Sequence, residues 1–208
     1  MRPKKPQSHT GRTQADDLSR PRRRRSIRLQ GYDYSQAGAY FVTIATRRKL
    51  CLFGAVKDGT VRLNASGQLM METWEWLGRR YPYVELDEYV VMPNHLHGII
   101  ILTDTAESGF GLATGRIAGS DHSRAARSER RKSLGSLVGA FRTVATRRAN
   151  LAQATEGRVI WQRNFYERVI RNERELGLIR QYIANNPLAW ESDQENPSTS
   201  KDAARGAS

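Results

Sequence analysis

The chain has a single cysteine, Cys51, among 208 residues. One cysteine excludes an internal disulfide and fits a reducing compartment. Its apolar neighbours, Leu50, Leu52 and Phe53, predict a small buried core residue rather than a reactive thiol. Long apolar runs are also missing. The most apolar stretch, Gly98-Ile99-Ile100-Ile101-Leu102, is far too short to span a bilayer. The basic N-terminus lacks the apolar core of a secretory signal. Together these leave the cytoplasm as the default, with no membrane partner. Acids are scarce: 21 Asp and Glu face 34 Lys and Arg, giving a net charge of +13. That excess predicts attraction to a polyanion, with nucleic acid first; the plainer explanation is a basic tail on a soluble protein. Hydrophobic content of 38% and a mean hydropathy of −0.65 suit one soluble domain with polar extensions.

Only four histidines occur, and two of them, His95 and His97, follow the turn pair Pro93-Asn94 one residue apart. Apolar runs flank them on both sides. Alternate side chains on a strand share a face, so two imidazoles at the start of a buried strand form a potential metal clamp.

The surrounding elements follow from pattern. Residues 1–25 read as a disordered, Arg-rich arm. Residues 38–46 are aromatic and β-branched, a first strand. Residues 50–56 and 60–63 flank Asp58-Gly59, a hairpin signature. Asn64 or Ser66 caps a helix carrying Leu69, Met70, Thr73, Trp74 and Leu77 on its apolar face, and Pro82 ends it. Residues 84–92 and 95–102 are the second and third strands. Residues 103–132 are rich in Gly, Ser, Ala and Arg, a flexible insert in which His122 has no assigned role. Ser133 caps a second helix whose buried face is Leu134, Leu137, Val138, Phe141, Val144, Ala145 and Leu151. Arg142, Arg147 and Arg148 lie towards its other faces, a surface suited to phosphates. Residues 159–170 are mostly a fourth strand, with Arg163 and Arg168 as further DNA contacts. Asn172 to Glu175 form a capping box opening a third helix, with Leu176, Ile179 and Ile183 as its apolar face and Asn186-Pro187 as its stop. Residues 191–208 read as a frayed polar tail.

The order strand, helix, strand, strand, helix, strand, plus an extra helix, is the ferredoxin-like split β-α-β-β-α-β arrangement of an antiparallel α+β sheet. Two histidines need a further ligand. On the last helix Tyr182 and Asn186 are spaced i, i+4 and share a face. If that helix crosses the sheet near the histidines, the Asn186 amide oxygen can join a metal and Tyr182 can face what the metal binds. A metal with open positions would polarise a phosphodiester oxygen, and a tyrosine oxygen is a competent nucleophile.

The segment Met92-Pro93-Asn94-His95-Leu96-His97-Gly98-Ile99 resembles the histidine motif of single-tyrosine HUH transposases. Trp161 to Asn172 and Gln181-Tyr182-Ile183-Ala184-Asn185-Asn186-Pro187-Leu188 resemble, more closely, the REP-associated tyrosine transposases of bacteria, as does Ser26 to Tyr34. The similarity covers residues 26–190, which form one transposase-like domain. It implies a ferredoxin-like fold, Mg²⁺ or Mn²⁺, and cleavage of single-stranded DNA at the foot of short palindromic hairpins, in the bacterial cytoplasm at the nucleoid. It assigns His95, His97 and Asn186 to the metal and Tyr182 to the nucleophile, which would form a 5′-phosphotyrosyl intermediate before strand transfer. Classical insertion-sequence enzymes more often carry Gln where this chain has Asn186, so the amide is kept on a shorter arm. Some relatives place the tyrosine helix across a dimer interface, so a homodimer is among the expected arrangements. Tyr166 competes as nucleophile, although packing or base stacking explains an aromatic there. A non-catalytic ferredoxin-like nucleic-acid-binding protein, stacking bases on Tyr40, Phe41, Phe165 and Tyr166, is the alternative function.

Overall fold

The computed structural model describes residues 31–104, 131–193 and 195–199. The basic arm over 1–25, nearly all of the 103–132 insert with His122, and residues 200–208 lie outside the described residues.

Among the described residues, six strands and three α-helices follow one another. They are β1 (Gly38–Ala45), β2 (Gly54–Lys57), β3 (Thr60–Leu63), α1 (Ala65–Arg80), β4 (Val84–Val91), β5 (His95–Leu102), α2 (Leu134–Ala152), β6 (Tyr166–Ile170) and α3 (Glu173–Asn185). The main sheet runs β4-β5-β1-β6, and each neighbouring pair is antiparallel. This is the expected split order, with β2 and β3 added as a separate hairpin. The hairpin turn needs two left-handed residues, and Asp58 (φ 52°) and Gly59 (φ 67°) supply them.

Strand alternation sorts the side chains into two cores. Tyr40, Val42 and Ile44 of β1 and Leu96, Ile100 and Leu102 of β5 point to the face covered by α1 and α2. Met70, Trp74 and Leu77 recur along α1 at helical spacing and are fully buried there. Gly98 sits beneath Trp74: a Cβ at this position would lie 2.5 Å from the indole ring, so only glycine admits the stacked helix. Phe41 of β1, Ile99 of β5 and Ile170 of β6 point the other way, where Leu176, Ile179 and Ile183 of α3 cover them. The helices therefore lie on both faces of the sheet rather than on one. A two-point contact ties α3 to the edge strand, with Arg180 Nε and Nη2 donating to Asp87 at 2.8 and 2.5 Å.

Helix starts follow the sequence. Asn64, Ser133 and Asn172 each accept a backbone N–H with the side chain, from Gly67, Ser136 and Glu175.

Several expectations are corrected. Cys51 is exposed; Phe53 is the residue of that run turned into the core, held by its N–H to Pro93 O at 2.9 Å. Leu151 is 73% exposed, because at 100° per residue it falls well off the stripe of α2. The fourth strand is confined to Tyr166–Ile170. Before it the chain makes a single bridge, Trp161 to Thr46. Trp161 leaves the ladder to pack its ring on Phe53 and Phe141, at 5.4 and 5.5 Å between centroids. The polar stretch read as a frayed tail carries two short 3-10 turns, Trp190–Ser192 and Pro197–Thr199, and Asn196 in it is buried.

Candidate metal and tyrosine site

His95 and His97 stand on the α3 face of β5, at the end where the strand leaves the Pro93-Asn94 turn. In the ladder they lie opposite Ala45 and Thr43 of β1. Both are buried, and their ring centroids are 4.4 Å apart. A second layer orients each ring. Asn94, itself fully buried, donates its amide N–H to the carbonyls of Lys49 (3.1 Å) and Glu195 (2.6 Å). Its Oδ1 is thereby the acceptor for His95 Nδ1 at 2.8 Å. This leaves His95 Nε2 with its lone pair aimed inward. Nδ1 of His97 meets the Thr43 hydroxyl at 2.8 Å, so Nε2 is again the inward atom. Such second-layer bonds are what metal-binding imidazoles require.

Burial drives the electrostatics. It pushes the pKa of His95 down to about 4, against the opposing pull of the Asp193 carboxylate and the Asn186 amide. His97 is held well below its ordinary value by burial first and by His95 second. Both imidazoles are neutral near pH 7, the form that binds metals.

α3 brings the other half of the site. Its apolar contacts with Phe41 and Ile99 set its height over the sheet, and this places Tyr182 and Asn186 above the histidines. The Tyr182 hydroxyl is 3.3 Å from His97 Nε2, and its ring packs edge-on to His97 and Phe41. Tyr182 is half-exposed on a cleft of about 660 Å³ whose walls include Phe41, His97, Tyr166, Arg168 and Asp193. Burial raises its phenol above the ordinary value, and the carboxylates of Asp193 and Glu195 raise it further. Asn186 is buried and donates Nδ2 to Asp193 Oδ2 at 3.1 Å.

Two buried polar atoms of this cluster have no hydrogen-bond partner among the described residues: His95 Nε2 and Asn186 Oδ1. The Asn186 amide can accept from His95 only when that ring is charged, which is why it opposes the fall in pKa; with the ring neutral, Nε2 and Oδ1 are both acceptors and leave each other unmatched. Leaving buried acceptors unmatched costs about 1–3 kcal/mol each. Orphaned lone pairs on an imidazole and an amide, beside a second imidazole, are a donor set that fits a divalent cation. One ligand atom each from His95, His97 and Asp193 lie within 4.8 Å of one another. Asp193 gives no signal in the sequence, because it is a lone acid in an aperiodic polar stretch. Nor does the sequence mark Thr43 and Asn94 as residues that orient the imidazoles; Asn94 reads as turn chemistry alone.

Tyr166 lines the same cleft, opposite Thr43 in the ladder, with its ring against Phe41 at 6.1 Å. Tyr182 is the tyrosine hydrogen-bonded to a histidine. The five arginines divide. Arg168 opens on the cleft and pairs with Glu175. Arg163 and Arg147 are exposed. Arg142 is half-buried and turns its guanidinium onto the carbonyls of Gln162 and of Arg163 (3.1 Å). Arg148 donates to Thr73 Oγ1 at 3.1 Å. Among the described residues no helix is long and apolar enough to cross a membrane.

No protein-family model matches the chain. It is similar to a solved REP-associated tyrosine transposase bound to a REP hairpin, at 22% identity over 78% of this chain and 73% of that one, with a TM-score of 0.49. A protein of Haemophilus influenzae described as uncharacterized is 38% identical over 171 residues, 82% of this chain and 92% of that protein. The chain belongs to one family with that Haemophilus influenzae protein.

Proposed function

We propose that the protein is a DNA strand-cleaving and strand-transferring enzyme of the REP-associated tyrosine transposase type. In this reading it acts on single-stranded or hairpin DNA through Tyr182. The observation that carries the reading is the Tyr182 hydroxyl 3.3 Å from His97 Nε2, on a cleft lined by both residues and by Asn186, with the orphaned Nε2 of His95 on the ring packed against His97.

His95, His97 and Asn186 are the residues to hold Mg²⁺ or Mn²⁺. When bound, such an ion supplies neutralisation of charge at a phosphodiester oxygen. The protein does the rest. Thr43 and Asn94 hold the imidazoles in one orientation. Phe41 and His97 pack the Tyr182 ring so that its oxygen faces the cleft. Arg168 places a cation on the cleft wall for the DNA backbone. In the chemical step the Tyr182 oxygen forms a bond to phosphorus and loses its proton to solvent. The bond from phosphorus to the 3′ oxygen breaks, and that oxygen takes a proton from solvent and leaves as a hydroxyl. The 5′-phosphotyrosyl link conserves the bond energy, so a different 3′ hydroxyl can reverse the step and join strands.

A base-stacking platform finds less support. α3 lies over the sheet face that such a platform would leave open, Tyr40 is fully buried and Phe41 is 7% exposed. The test is a labelled hairpin oligonucleotide incubated with the full chain and Mn²⁺, then run on a denaturing gel. A protein-linked, Tyr182-dependent band is the expected result. Its absence across palindromic hairpins from the flanking genome overturns the assignment.

A further inference from the structure

We infer that Asp193, on the segment after α3, is a fourth metal ligand beside the two histidines and Asn186, so that the segment beyond the tyrosine helix completes the metal centre. The inference rests on the metal-dependent reading above and extends it to a residue outside the helix that carries Tyr182 and Asn186.

Three observations converge. A carboxylate oxygen of Asp193 lies within 4.8 Å of a ring nitrogen of each histidine, the spacing of donors around one ion. The carboxylate is held in place from both sides: Oδ2 accepts from Asn186 Nδ2 at 3.1 Å and Oδ1 from the Glu195 N–H at 2.6 Å. The segment is anchored by the amide that also orients His95. Asn94 accepts from His95 Nδ1 with its oxygen and donates to Glu195 O with its nitrogen. Buried Asn196 closes the turn by donating to Trp190 O at 2.9 Å, and Lys49 pairs with Glu195 at 3.7 Å. One side chain thus sets the position of a histidine and of the carboxylate beside it.

The chemistry gives the carboxylate a purpose. Two neutral imidazoles and an amide carry no charge. Adding a carboxylate makes the set anionic and gives it a second hard oxygen, which suits Mg²⁺ and Mn²⁺ better than soft metals. Asn186 then has two roles: its oxygen faces the ion, and its nitrogen holds Asp193.

The experiment is a calorimetric Mn²⁺ titration of the full chain, without DNA, for wild type, Asp193→Asn and Glu191→Gln. Glu191 is an exposed acid in the same segment and controls for lost charge. Asp193→Asn is expected to weaken Mn²⁺ binding at least about tenfold, as loss of a ligand or its support does elsewhere, with Glu191→Gln close to wild type. Equal affinity in Asp193→Asn overturns the role of Asp193 while leaving the histidine centre standing. A wild type that binds no Mn²⁺ overturns both this inference and the metal-dependent reading. Should Asp193→Asn lower the melting temperature of the metal-free chain, Asp193→Glu decides. Restored affinity supports a carboxylate ligand, and affinity no better than that of the Asn variant overturns it.

Discussion

The hydroxyl of Tyr182 lies 3.3 Å from Nε2 of His97, although 85 residues separate them in the chain. That contact exists because α3 packs its Leu176, Ile179 and Ile183 stripe onto Phe41 and Ile99, and because strand alternation turns His97 towards the same face. It joins the nucleophile and the metal-binding residues of the proposed reaction.

If Tyr182 forms the covalent bond, Tyr182→Phe abolishes the protein-DNA adduct while Mn²⁺ binding and hairpin affinity persist. Tyr166→Phe keeps the adduct, since Tyr166 packs on Phe41 and the histidine contact belongs to Tyr182. The denaturing-gel assay separates the two, and the reverse pattern would make Tyr166 the nucleophile.

Thr43→Val keeps the shape of the side chain and removes the hydroxyl that meets His97 Nδ1 at 2.8 Å. Loss of such an orienting bond typically lowers metal affinity about 10–100-fold. The same Mn²⁺ titration measures it, with circular dichroism to verify the fold. Unchanged affinity would show that packing alone orients the ring.

Gly98→Ala pushes a methyl to within 2.5 Å of the buried Trp74 ring. Overpacking of this kind costs about 1–3 kcal/mol. Urea denaturation reads the loss directly. Because α1 is pressed on the face opposite the histidines, the Mn²⁺ affinity of the folded variant changes less than its stability.

The metal-free protein loses stability in mild acid. His95 has its pKa pushed down to about 4 in the fold, against 6.5 for a free histidine. Below about pH 6.5 the unfolded chain takes up a proton that folded His95 refuses until about pH 4. Stability is therefore complete above pH 6.5 and falls as pH drops through that window. At 1.36 kcal/mol per pK unit, His95 alone accounts for on the order of 2 kcal/mol between pH 7 and pH 5. His97, shifted the same way, adds to it. Urea midpoints at the two pH values provide the check, and a flat profile would mean that the pair is not buried as described.

Arg168 and Arg142 separate DNA contact from internal support. Arg168→Ala is expected to reduce the slope of log affinity against log salt by about 0.7 on single-stranded DNA. Arg142→Ala leaves that slope alone and lowers stability by about 1–3 kcal/mol, because its guanidinium bonds the carbonyls of Gln162 and Arg163. Fluorescence anisotropy over a salt series distinguishes them.

Patterns confined to neighbouring residues are legible in the sequence by itself. The alternation through His95 to Leu102 locates β5 with both imidazoles on one face, and Asn64, Ser133 and Asn172 mark three helix starts. Period and capping act within one turn or one strand, so they survive in a linear text. The Tyr182 and Asn186 pair on one helix face is legible for the same reason. The turn of the Arg142 guanidinium onto backbone carbonyls is not, since the carbonyls it meets belong to a segment about twenty residues further along the chain.

Asp193 shows the boundary between the two most sharply. No periodicity surrounds it, and its place depends on Asn94 bonding Glu195 across 101 residues. A frayed tail and a metal-site segment read alike as polar sequence. They differ only in whether buried amides such as Asn94 and Asn196 find backbone partners in that segment, and those partners exist only once sheet and helix have packed.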